Sequence, residues 1–183
     1  MSTLEISREK FMDFTSFLEE VGIPAQIYEP DENNVINQLL IPLNLDKEDY
    51  PIIQAMFVED VLEVSGSIIK NPDETFVLQF FVPLALGNIK NTNVTEIHLF
   101  LAFLNKMVPI GYFGYGAEGI FYRHTVVTAR KNMDKDAFVE TIRLISFFNN
   151  RFYERVSDLA NCIKTRDELL KELDEEIKGL NLG

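Results

Sequence analysis

Between Asp134 and Leu182 the chain has no proline and a single glycine, Gly179. Nothing there forces the backbone out of a helix for about a dozen turns. Alternating steps of four and three residues from Phe138 meet Ile142, Ile145, Asn149, Phe152, Val156, Leu159, Ile163, Arg166, Leu170, Leu173, Ile177 and Leu180. This is a heptad seam, the pattern of a helix that lays a long apolar stripe against another surface. Asn149 and Arg166 are its polar members, and Thr165-Arg166-Asp167-Glu168 reads as a capping box that restarts the helix. The spacing predicts one long helix to about Lys164, then a bend or a straight continuation.

The residues ahead of this seam alternate between helix and strand patterns. Ser2-Thr3-Leu4-Glu5 is a capping box, and Phe11, Phe14, Leu18 and Val21 follow at helical spacing until Gly22 and Pro24 end the run. Ala25 to Glu29 and Val35 to Leu43 are extended candidates joined by a run of turn formers, hence a hairpin. Ile52 to Val58, Val61 to Ile69 and Thr75 to Leu84 also read as extended, with a turn at Asn71-Pro72-Asp73-Glu74. In the last of these, Phe76, Leu78, Phe80 and Val82 share one face while Val77 and Phe81 lie on the other. Such a strand is expected at the centre of the sheet, covered on both sides. Asn93 caps a second helix, Val94 to Met107, and Ile110 to Ala129 form a second hairpin turning at Gly116-Ala117-Glu118-Gly119.

The second helix is apolar around most of its circumference. Ile97, Phe100, Leu101, Leu104 and Met107 form one stripe, and Leu99 and Phe103 project elsewhere, so one sheet face cannot bury them all. Cover comes either from the long C-terminal helix or from a second protomer, and a homodimer is the expected solution. Ordinary intramolecular core is the other reading of the same residues. Expected at a partner interface are Ile97, Phe100, Leu101, Leu104 and Met107 with Leu170, Leu173 and Ile177 of the heptad tail.

No reaction is written in the sequence. Gly114-Tyr115-Gly116-Ala117-Glu118-Gly119 has GxGxxG spacing, but the β-branched and aromatic run after it makes these glycines open a strand, whereas a dinucleotide site needs a helix. His98 and His124 fall on different elements, and no Cys/His pair has metal-ligand spacing. The acidic pairs Glu59-Asp60, Asp73-Glu74 and Glu175-Glu176 are expected in turns or on a solvated helix face, where neighbours cannot oppose each other across a cleft. No catalytic residue, cofactor or metal site is therefore expected.

Composition narrows the partners. A net charge of -12 opposes sequence-independent binding to nucleic acid or anionic lipid. Phenylalanine occurs 15 times and tryptophan not at all, which predicts a core of packed aromatic and aliphatic side chains. The lone cysteine, Cys162, falls within the helical pattern and reads as a small helix residue. Met1 to Lys10 lacks the apolar core of a signal peptide, and runs such as Ile97 to Leu104 are too short to span a bilayer, so a soluble cytoplasmic protein is expected.

The order of elements resembles that of type III secretion chaperones and of YbjN-type sensory transduction regulators. The resemblance rests on Phe11 to Val21 running into Ile23-Pro24-Ala25, on the apolar helix Ile97 to Met107, and on the hairpin Gly111 to Ala129 feeding Asp136-Ala137-Phe138. It covers the chain up to Lys164, and this sequence adds extended segments before the second helix and an acidic heptad tail. The resemblance implies an α+β fold, a mainly antiparallel sheet packed against helices with a long C-terminal helix, and a second helix at a dimer interface. Residues 1–164 are expected to form one domain and 165–183 an acidic helical tail. The function expected is a non-enzymatic, cytoplasmic module that binds a protein or peptide partner or regulates one. The alternatives are an enzyme with a site assembled from scattered residues, and a structural subunit assembling through its C-terminal heptads.

Overall fold

The structure is a computed structural model that describes residues 2–32, 34–44, 50–66, 75–84, 89, 94–117, 119–129 and 134–180. It is an α+β fold, as expected. Helix α1 (Thr3–Glu20) begins at the Ser2–Glu5 capping box, with both reciprocal bonds formed. It ends at Gly22, whose φ of 77° places the backbone where a side chain would be strained. Strands β1 (Gln26–Tyr28), β2 (Gln38–Pro42) and β3 (Ile52–Phe57) follow. After helix α2 (Val58–Val64) come β4 (Thr75–Leu84), α3 (Val94–Leu104), β5 (Tyr112–Gly116), β6 (Gly119–Ala129), α4 (Lys135–Ala160) and α5 (Arg166–Leu180).

Six strands form one sheet in the order β1-β2-β3-β4-β6-β5, antiparallel at every pairing. Period-two alternation divides it into an inner and an outer face. The inner face carries Leu39, Ile41, Ile53, Ala55, Phe57, Phe76, Leu78, Phe80, Val82, Ile120 and Tyr122, all buried. Phenylalanine stitches the helices to this face. Phe11 of α1 stacks on Phe57 at 4.9 Å, and Phe138 of α4 sits 4.1 Å from Phe14 and 5.6 Å from Phe80, centroid to centroid. Phe152, further along α4, meets Phe113 of β5 edge-on at 6.0 Å.

Several expectations need correction. The extended reading of Val61 to Ile69 gives way to α2, which covers Val58 to Val64, while 67–74 lie outside the described residues. Its β-branched residues favour a strand, but tertiary bonds override that preference. Glu59 accepts a bond from the Val77 N–H at 2.9 Å, continuing the ladder of β4 where β3 has turned away, and Glu63 accepts from the Thr3 N–H at 3.0 Å. The pair Glu59-Asp60 is therefore buried, contrary to the solvated position expected of it. Asn93, the expected cap of α3, also lies outside the described residues.

The C-terminal seam is buried from Phe138 through Leu159. It then breaks. Cys162 takes a left-handed conformation with φ 57°, and the Ile163 N–H reaches back to the Asp158 carbonyl at 2.8 Å, so the cysteine ends a helix and is exposed instead of lying within one. Thr165 and Glu168 form the expected capping bonds, and α5 turns back along α4. Glu176 fixes this return by bridging Arg151 and Arg155, each at 2.9 Å. The break resets the helical phase, so Leu169 and Leu173 become the fully buried pair while Ile163 is exposed.

Candidate functional site

Among the described residues, the outer face of the sheet is the surface that no helix covers. β4 does lie near the centre, but the described helices pack on its inner face, and its outer residues Val77, Gln79 and Phe81 are half-buried. The expectation of cover on both sides is corrected accordingly. Beyond β4, the same outer face presents Leu40, Ile52, Gln54, Met56, Tyr112, Phe121, Thr125 and Val127. Val127 is 70% exposed, Tyr112 43% and Ile52 41%. Antiparallel sheets with one wet face ordinarily place polar and charged residues there. Here Arg123 is the only charged side chain among the outward strand residues, in a chain that is one-quarter charged overall.

Arg123 sits in an aromatic setting. Register places it beside Phe81 on β4 and Tyr112 on β5, with Phe121 two residues away on its own strand. Its guanidinium carbon lies 5.2 Å from the Phe121 ring centroid and 5.6 Å from that of Phe81, within cation–π range. Phe81 and Phe121 are 5.4 Å apart, and Tyr112 meets Phe121 edge-on at 6.1 Å. Gly114 makes this arrangement possible. A Cβ there would stand 2.5 Å from Phe121 Cζ, so the ring lies over bare backbone. The GxGxxG spacing therefore serves a hairpin, with Gly116 paired to Gly119 at its turn.

The sheet edges are less available than the face. Asn105, just past α3, donates to the Phe113 carbonyl at 2.9 Å and accepts from the Phe113 N–H at 2.7 Å. A side-chain amide thus occupies the free edge of β5 as a neighbouring strand would. At the opposite edge β1 has three residues, too few to template an added strand of ordinary length.

The side chains expected at a partner interface are mostly enclosed by this chain. Ile97, Phe100, Leu101 and Leu104 are buried among β5, α4 and α5, and Leu173 has no exposure. Met107, Leu170 and Ile177 are half-buried. Leu99 is the large apolar residue that α3 shows to solvent, at 48%. α5 returns against α3 and covers part of its apolar surface within the chain, while Leu99 stays exposed. Patterning places the apolar second face of β4, but no local pattern says that the described helices all pack on the other face.

Other polar groups are dispersed. His98 meets Tyr115 edge-on at 5.4 Å, while His124 stacks near Phe80, where burial lowers its pKa. The Tyr122 hydroxyl donates to the Ile110 carbonyl at 2.6 Å, and burial pushes its pKa up. Asp60 is fully buried between α1 and α2, and burial raises its carboxyl pKa. Ser7 and Thr3 oppose that rise, but their hydroxyls are committed to the Leu4 carbonyl and to Glu63. Among the described residues neither Asp60 oxygen has a hydrogen-bond partner. Among the described residues no group of three or more His, Cys, Asp or Glu is placed to hold a metal, and no helix is long and apolar enough to cross a membrane.

No family model matches the chain, and no curated protein does. Solved structures to which it is similar include an uncharacterized protein from Methanothermobacter thermautotrophicus, at 14% identity and a TM-score of 0.45, covering 84% of this chain and 99% of that one. YbjN from E. coli, a candidate transcription regulator, is similar at 11% identity and a TM-score of 0.38, covering 82% of this chain and 87% of that one. Both are weak structural similarities.

Proposed function

We propose that this chain is a non-enzymatic protein-association module, and that its working surface is the helix-free face of the sheet. The observation that carries the reading is the charge pattern of that face: broad, rich in large apolar side chains, and bearing Arg123 as the one charged side chain among its described strand residues. An apolar surface of this extent marks an association site in folded proteins. Depletion of charge with enrichment in aromatic residues and arginine is the composition of interface cores. The guarded edges favour docking on the face over strand addition.

A photo-crosslinking residue replacing Val127 tests this in living cells. It should trap a protein of defined mass, whereas the same residue replacing Lys171 on the solvated side of α5 should not. Absence of any adduct at position 127 would contradict the reading.

A further inference from the structure

Resting on that reading, we propose that the occupant of the outer face is a second copy of this chain, the two sheets stacking into a sandwich. Three features of the face point to its own likeness. Charge is the first. The chain carries 29 acidic residues, and none of them is among the outward strand residues. This face is where two copies, each of net charge -12, can approach without setting carboxylate against carboxylate. An oppositely charged partner would find only Arg123 to grip, and that guanidinium already lies over the rings of Phe81 and Phe121.

The second feature is the polar chemistry at the centre. The middle of the strand order is the β3–β4 pair, and there the outward polar residues are Gln54 and Gln79. A primary amide is both donor and acceptor, so it can pair with its own kind across a two-fold axis, which a charged group cannot. The third is extent. Roughly 40 strand residues, each tiling about 16 Å² at ordinary strand spacing, present about 600 Å² of flat footprint. Two such faces bury about 1,200 Å² before side-chain relief is added, which reaches the range of specific interfaces. Twisted sheets also pack face to face in a standard aligned geometry about 10 Å apart.

Light scattering on the purified full chain tests the occupant. Wild type should give a mass near twice the 21.1 kDa of one chain. Val127→Glu combined with Ile52→Glu alters two side chains already exposed in the single chain, so the variant should keep the wild-type circular dichroism and scatter as a monomer. Leu99→Glu, on the exposed side of α3, should remain dimeric. Wild type that is monomeric at high micromolar concentration overturns the proposal. If position 127 still traps a foreign protein in cells under that outcome, the association reading stands with another partner. A double variant that stays dimeric, or a Leu99→Glu variant that becomes monomeric, places the interface elsewhere and also overturns it.

Discussion

The guanidinium of Arg123 lies 5.2 Å from the ring centroid of Phe121, and that ring in turn lies over Gly114, where a Cβ would come within 2.5 Å of it. Three neighbouring positions on β5 and β6 thus set the one charge of the outer face into an aromatic bed. Because only a hydrogen separates the ring from the backbone, Gly114→Ala should drive Phe121 aside and loosen its contacts with Arg123 and Phe81. The expected loss is about 1 kcal/mol, the sum of weak ring and cation contacts. Denaturant unfolding measures it, and unchanged stability would show that the ring does not depend on the glycine.

Asp60 gives a pH dependence of known sign. Its carboxyl pKa is raised in the folded chain, chiefly by burial and further by Glu63 and Glu59. A raised acid holds its proton in the folded state after the unfolded chain has lost it. Its contribution is therefore most favourable below the unfolded value of about 3.9 and declines as pH rises from there through the folded pKa. Asp60→Asn removes the titration. The variant should gain on wild type as pH rises from about 4 towards neutrality. A difference between the two proteins that stays constant with pH would exclude this account.

Asn105 is predicted to guard the β5 edge. Asn105→Ala leaves both the N–H and the carbonyl of Phe113 without their side-chain partner. The expected cost is about 1–3 kcal/mol, because two backbone groups lose satisfaction at once. Hydrogen exchange at the Phe113 amide should accelerate more than at its β6-bonded neighbours. Equal protection in both proteins would mean that water or another group already serves that edge.

Burial, and not charge, should hold α5 in place. Leu173 has no exposure, so Leu173→Ala is expected to cost about 2–5 kcal/mol. Glu176 bridges Arg151 and Arg155 but its side chain keeps 35% exposure, and solvent screening limits Glu176→Gln to less than about 1 kcal/mol. Thermal unfolding of the two variants separates these contributions. A leucine variant as stable as wild type would show α5 to be an appendage.

Much of the fold was legible because local rules and tertiary demands agree in this chain. The Ser2–Glu5 box, the Gly22 stop, the alternation along Phe76 to Val82 and the seam from Phe138 to Leu159 each state a period that the packed structure keeps. Legibility failed where tertiary contacts decide. Val58 to Val64 is helical because Glu59 and Glu63 find backbone donors in Val77 and Thr3, partners 18 and 60 residues away. The fate of α3 turned on α5 folding back, which depends on a left-handed Cys162 that no residue preference announces. The outer face was visible as the second apolar side of β4, yet its openness depends on where all the helices go, and no single element contains that information.

The outer face is expected to be covered by protein, and the rate of thiol labelling tests this most directly. In a Val127→Cys variant the exposed Cys162 serves as an internal reference. At high protein concentration a maleimide should modify position 162 rapidly and position 127 slowly, with position 127 recovering on dilution as the face is uncovered. Labelling at 127 that matches 162 at every concentration, in purified protein and in cells alike, would contradict it.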